Sequence, residues 1–162
     1  MTIRRIETEQ EMIESVSVIR RSFRPVAQEF GVTRHNNPDH GAFVDLTDLQ
    51  GLQDKGAVFY GIFQRGQQIG FVSVRPADWQ KNACYLEKLA GIPEARRQGA
   101  AEHLLNYVCE SARGQGQEKM LIDIINEHKV LKGWYIRYGF RETAVRPYPN
   151  LPFLVCHLEK EL

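Results

Sequence analysis

The sequence predicts a mixed α/β domain: one central, mostly antiparallel sheet flanked by helices. Three observations predict it. The β-rich runs Ala57–Gln64, Gln68–Val74 and Ala83–Ile92 follow one another across short polar connections, as in an antiparallel meander. The last of them leads into a helical pattern from Gly99 to about Arg113 and then a second apolar run, Lys119–Ile125. Strand, helix, strand is a βαβ unit, which implies a parallel pair joined by a right-handed crossover. Apolar residues at helical spacing, Met12, Ile13, Val16, Ile19 and Phe23 before the meander and Leu104, Leu105, Val108 and Ala112 after it, supply the flanking layers.

Thr2–Ile6 is a short β-like run. Thr8 and Glu11 then form a capping box that satisfies two free helix donors reciprocally. Pro25 interrupts the helical pattern, Val26, Ala27 and Phe30 suggest a second short helical piece, and Gly31 reads as its stop. Residues 32–41 are polar (Thr33-Arg34-His35-Asn36-Asn37-Pro38-Asp39-His40), hence a loop, and Phe43–Leu52 is a further short helix. Arg65-Gly66-Gln67 is a hairpin turn. Gly114-Gln115-Gly116 follows a helix, so it reads as a C-cap and turn rather than a nucleotide loop. Glu127–Tyr138 is a helix closed by Gly139, and Phe140–Val145 and Phe153–Glu159 are two last strands around a Pro-rich turn.

At 162 residues the chain is expected to be one domain, 1–162, able to bury roughly 68–70% of its unfolded surface. A net charge of +1 speaks against nucleic acid as the main partner. No stretch is long and apolar enough to span a membrane, and Met1–Arg5 shows no apolar signal region, so the expected location is the cytoplasm without a membrane partner. Cys84, Cys109 and Cys156 have neither disulfide nor metal spacing and read as small buried hydrophobes. The five histidines form no ligand pattern, so no metal is expected.

The stretch Tyr85–Leu105 carries the chemistry. Its loop places Arg96, Arg97, Gln98, Gly99, Ala100 and Ala101 where the helix begins. The first N–H groups of a helix lack partners and the dipole makes that end positive, so small residues here build an anion cradle. The N–H groups of Gln98, Gly99, Ala100 and Ala101 are its expected donors, with Arg96 and Arg97 beside them. Glu87 stands in an otherwise apolar strand, and alternation puts it on one face with Tyr85 and Leu89.

Arg96-Arg97-Gln98-Gly99-Ala100-Ala101 resembles the Arg/Gln-x-x-Gly-x-Gly/Ala signature of the GNAT superfamily of acetyl-CoA-dependent N-acetyltransferases. Leu89-Ala90 and Pro93-Glu94 before it, and Asn126, Trp134-Tyr135 and Gly139-Phe140 after it, extend the resemblance from Tyr85 to Phe140. It implies a sheet whose two parallel strands splay apart to admit the pantetheine arm of acetyl-CoA (coenzyme A), the co-substrate. It implies Glu87 as the base, Tyr135 as the acid that protonates the leaving thiolate, Asn126 as a holder of the cofactor arm, and the Leu89 N–H as an oxyanion donor; the alternatives are a structural Glu87 paired with Lys88 or with an arginine across the sheet, and Tyr135 as a core aromatic next to Trp134. Gly91 departs from the branched residue of many relatives and is expected either to loosen this edge or to mark a bulge. The polar loop at Val32–Gly41 reads as a solvated connection or, as the resemblance implies, as a wall of the acceptor pocket, with His35 and His40 as surface residues or substrate contacts. The expected activity is acetyl transfer to a primary amine, of a small molecule or of a protein; a non-catalytic acyl-CoA-binding module on the same fold is the alternative. The C-terminal strand Phe153–Glu159 could pair across a homodimer.

Overall fold

A computed structural model describes the whole chain, Met1–Leu162. Its elements are β1 (Thr2–Ile6), α1 (Glu9–Glu29), α2 (Leu46–Asp54), β2 (Val58–Gln64), β3 (Gln67–Pro76), β4 (Ala83–Gly91), α3 (Ala100–Gly114), β5 (Lys119–Ile125), α4 (Lys129–Arg137), β6 (Arg141–Arg146) and β7 (Val155–Glu161). All seven strands form one sheet in the order β1-β2-β3-β4-β5-β7-β6. The pair β4·β5 is parallel and every other pair is antiparallel. Helices α1 and α3 both lie against β3 and β4 without packing on each other, so they cover opposite faces. The core runs through the sheet, with Ile19, Phe59, Phe71, Leu104, Leu105 and Met120 fully buried. No helix is long and apolar enough to cross a membrane.

The Thr8 hydroxyl accepts from the Glu11 N–H at 3.1 Å and the Glu11 carboxylate accepts from the Thr8 N–H at 3.0 Å, so the capping box starts α1 as the sequence implies. The helix then differs from expectation. It runs unbroken through Pro25 instead of restarting after it. Proline removes one bond to the carbonyl four residues back; burial of Val18, Ile19 and Ala27 against the sheet holds the helix on either side of that loss. Gly31, at φ 69°, ends it as expected. The helix expected over Phe43–Leu52 is a 3-10 turn at Gly41–Phe43 followed by α2, which Asp45 caps through the Asp48 N–H at 2.9 Å. The helix expected from Glu127 begins at Lys129.

Two corrections concern the sheet. The bulge in β4 is not at Gly91, which pairs regularly with Gly70. Ser73 opposes Glu87 and Phe71 opposes Ala90, so Lys88 and Leu89 together face Val72. Lys88, at φ 57°, is the extra residue. The inserted residue inverts the alternation, which leaves Glu87 on the face of Tyr85 and Ala90 and turns Leu89 to the other face. Second, β7 is paired on both sides, to β5 and to β6, so it has no free edge.

Candidate active site

The site is built where two parallel strands part. β4 and β5 pair only at Ala83 with Lys119, Cys84 with Met120 and Tyr85 with Leu121. Beyond these, Leu86–Gly91 and Ile122–Ile125 border an opening with no strand between them. Backbone direction there follows from alternation. The Ile92 N–H donates to the Ile69 carbonyl of the β3 side at 2.9 Å, whereas the Gly91 N–H turns the other way, to the Ser22 hydroxyl of α1 at 3.1 Å. Leu89, two residues before Gly91, therefore aims its N–H into the opening. A Cβ at Gly91 would meet nothing within 4 Å, so its lack of a side chain is not a packing demand.

β4 continues through a 3-10 turn at Pro93–Ala95 into α3. Arg97 at φ 68° and Gly99 at φ 81° turn the chain sharply into the helix, and Gly99 occupies the cap position. The first intrahelical bond is from the His103 N–H to the Gly99 carbonyl, 2.9 Å. The N–H groups of Gly99, Ala100, Ala101 and Glu102 thus have no acceptor within the protein. Gln98, expected among them, instead donates its N–H to the Ala95 carbonyl at 3.3 Å, closing the turn. The free donors lie one residue later than expected, at Gly99–Glu102. Arg96 is tied to α1 through the Ser22 carbonyl at 3.1 Å, and Arg97 makes no ion pair.

Glu87 is not a lone carboxylate in an apolar strand. Arg75 of β3 donates to it at 2.9 Å, both side chains are largely buried, and the Arg75 guanidinium also lies 5.1 Å over the Tyr85 ring. Next to it, the bulge sends the Lys88 ammonium to the Asp39 carbonyl at 3.0 Å, which ties β4 to the polar loop. Burial lowers the Lys88 ammonium below the usual lysine range, against the opposing pull of Glu87, Asp39 and Asp48. His40 in that loop is held down to about 4, first by burial and then by the Lys88 charge. Its neutral Nδ1 accepts from the Ala42 N–H at 3.2 Å, so its role here is to cap a turn.

Tyr135 lies in α4 with its ring between Trp134 and Phe140, at centroid distances of 5.0 and 5.3 Å. Burial raises its phenol above the usual tyrosine range. Asn126 follows β5 directly: its N–H donates to the Leu154 carbonyl at 2.8 Å and its side-chain oxygen takes the Lys132 ammonium, which also pairs with Glu142 at 2.8 Å. No hydrogen bond joins Glu87 and Tyr135: Glu87 is held by Arg75, and Tyr135 packs on Trp134 and Phe140. The three thiols are buried, and burial raises those of Cys84 and Cys156 to about 11.

The family model described as "Acetyltransferase (GNAT) family" matches residues 20–140, about three quarters of the chain. The chain belongs to the GNAT acetyltransferase family. Solved structures agree on the fold. A ribosomal-protein-S18-alanine N-acetyltransferase from Escherichia coli superposes with a TM-score of 0.77 at 16% identity, over 99% of this chain and 92% of that one. A ribosomal-protein-alanine N-acetyltransferase from Brucella melitensis gives 0.74 at 18% identity, with both chains covered at 100%. The PaiA N-acetyltransferase from Thermoplasma acidophilum, in complex with coenzyme A, gives 0.72 at 16% identity, again with both chains at 100%. A search of curated protein sequences returns no significant match.

In this GNAT chain the structure adds residues that the sequence did not single out. Arg75 becomes part of the site only through the β3·β4 register, and Ser22 only because α1 crosses the end of β4. Lys88 was visible as an ion beside Glu87, but nothing in the sequence marks it as the bulged residue. The fourth cradle donor, Glu102, could have been counted from the position of the cap.

Proposed function

We propose that this chain transfers the acetyl group of acetyl-CoA to a primary amine by direct attack within a ternary complex. One observation carries the reading: β4 borders the opening where its pairing with β5 stops, and the same strand runs on into the four unpartnered N–H groups that start α3. A long ligand with an anionic head and a thin arm is what fits both.

In this scheme the Gly99–Glu102 N–H groups hold the diphosphate. A favourable charge at a helix start contributes only about 0.3–1 kcal/mol, so several donors and Arg97 act together. Asn126 lies at the end of the opening, where its amide would hold the arm. Leu89 offers its N–H to the developing oxyanion. The acceptor arrives mostly as an ammonium, with about one part in a thousand neutral at pH 7 for a lysine-type amine. Glu87 takes its proton, with Arg75 as a fixed countercharge. Tyr135 protonates the leaving thiolate; its raised phenol keeps its proton at neutral pH, the state that a donor needs. Nothing covalent forms on the protein. Neighbours of this fold act on the alanine of ribosomal proteins; here a protein amine and a small-molecule amine both fit the scheme.

One observation favours the alternative of a non-catalytic acyl-CoA-binding module. The Arg75 pair gives Glu87 a structural employment, and Tyr135 is buried among aromatic rings. Calorimetric titration with acetyl-CoA, followed by thiol release against a panel of amines, separates the two. Binding with turnover supports the transferase, and Glu87→Gln should then lose about 10²–10⁴-fold in rate while binding acetyl-CoA normally. Binding without turnover on any amine favours the module, and no binding removes both.

A further inference from the structure

The bulge of β4 gives one cation a place that the scheme above leaves unused. Lys88 stands between Glu87, the proposed base, and Leu89, whose N–H faces the opening, and it is the inserted residue of the strand. Bulges are common beside active sites, where they re-aim a side chain. At φ 57° a lysine is strained, because its Cβ crowds the following carbonyl, and a glycine would not be. Such strain persists where the surroundings hold it, and it gathers at functional sites.

What Lys88 reaches is the polar loop. Its ammonium donates to the Asp39 carbonyl at 3.0 Å. Elsewhere the loop bonds to itself and to the end of α1. The Asn37 N–H donates to the Thr33 carbonyl at 2.9 Å, the His40 N–H to the Asn37 carbonyl at 3.2 Å, and the Asn36 amide to the Gly31 carbonyl at 2.9 Å. At its far end the His40 ring packs edge-on against Phe23 of α1, 5.5 Å between centroids. The bond from Lys88 is the one hydrogen bond that joins residues 33–40 to the sheet. The Asp39 backbone therefore lies within one lysine side chain of β4, at the residue next to Glu87.

Resting on the acetyl-transfer reading, we propose that Lys88 is a positioning residue: it holds the 33–40 loop in place as a wall of the amine-acceptor site beside Glu87. Lys88 touches neither the acetyl group nor the acceptor nitrogen, and acts through the Asp39 backbone. Untied, the loop spends part of its time away from Glu87, and the acceptor binds only to the fraction in place. A loop in place for one tenth of the time weakens apparent acceptor binding about tenfold. The chemistry of the bound acceptor is unaltered, so the loss falls on the amine KM and not on kcat.

Lys88→Gly separates the tie from the bulge, since it removes the ammonium yet suits the φ of the inserted residue. Lys88→Asn, which also tolerates this φ, repeats the measurement with a side chain too short to reach. Lys88→Arg keeps a charged donor. The full chain is followed by hydrogen exchange and by thiol release against the amine panel, with n-butylamine and an alanine-first peptide amide included. In Lys88→Gly the amides of Asn37 and His40 should exchange about tenfold faster, with those of β4 unchanged. The KM of the amine that turns over should rise about tenfold, with kcat and acetyl-CoA affinity within about twofold of wild type. Lys88→Arg should restore both. Wild-type exchange at Asn37 and His40 in both shortened variants would show that Lys88 does not hold the loop. Faster exchange with an unchanged amine KM, or a fall in kcat in place of the rise in KM, would show that the loop does not wall the acceptor site. Either result overturns the positioning role and leaves acetyl transfer standing. Wild-type protein that releases no thiol with any amine would overturn the acetyl-transfer reading itself, and the acceptor wall with it.

Discussion

Glu87 is held by a neighbour that a carboxylate in a purely apolar strand would not have. The Arg75–Glu87 pair is largely buried, at 16% and 18% exposure, so removing one partner strands the other charge in a poorly solvated place. Arg75→Met should lower stability by about 1–3 kcal/mol, and Arg75→Met combined with Glu87→Gln should recover part of that, giving a clear coupling in a double-mutant cycle by chemical denaturation. Strict additivity would show that the pair is an incidental contact. His40 offers a pH test. Its folded-state value is about 4, below the 6.5 of an ordinary histidine, because burial and Lys88 disfavour the cation. The unfolded chain therefore takes up this proton first as pH falls. The stabilisation is fully present above about pH 6.5 and is lost between there and about pH 4. His40→Asn keeps an acceptor for the Ala42 N–H and does not titrate in this window. The wild-type melting temperature should thus fall more steeply than that of His40→Asn over this range, and parallel curves would sink the idea.

At the scale of elements, the start of α3 has two properties that a single substitution sets against each other. A carboxylate in the first turn of a helix is favourable toward the dipole but repels a bound phosphate. Ala101→Glu should leave the melting temperature unchanged or slightly raised, yet weaken coenzyme A binding by more than tenfold in calorimetry. Loss of both would mean that the residue is needed for folding, and loss of neither that α3 does not face the ligand. The free N–H groups at the start of α3 were legible because they depend on consecutive residues, and the shift of one position came from Gln98, whose N–H is spent on the Ala95 carbonyl. The capping box at Thr8 and the strand Lys119–Ile125 were legible for the same local reason. The bulge at Lys88 was not, since an inserted residue shows itself only against the partner strand's register. Pro25 misled because its cost is local and the packing that offsets it is not. Asp123 is the one acid of β5, but its partner His157 is thirty-four residues away and reached only through the β5·β7 pairing.

At the scale of the molecule, the sheet is two blocks, β1–β4 and β5–β7, hinged on three parallel residue pairs and the α3 crossover. So short a ladder gives few bonds to hold the blocks in register, and the edges Leu86–Gly91 and Ile122–Ile125 face the opening without a partner strand. A ligand arm lying in that opening would bridge the blocks, whereas a ligand confined to the helix cradle would not. Coenzyme A and adenosine 3′,5′-bisphosphate, which lacks the diphosphate-linked pantetheine arm, separate the two contributions. At one hundred times its Kd, either ligand should stabilise the fold by about 2.7 kcal/mol through mass action alone, a shift of roughly 5–11 °C for a domain of this size. At matched saturation their effects on hydrogen exchange should differ. Coenzyme A should slow exchange along Leu86–Gly91 and Ile122–Ile125 as well as at Gly99–Glu102, and the bisphosphate should leave both strand edges as they are in the free protein. Equal protection of the strand edges by both ligands would mean that the blocks are already locked together, and that the opening is not where the arm lies.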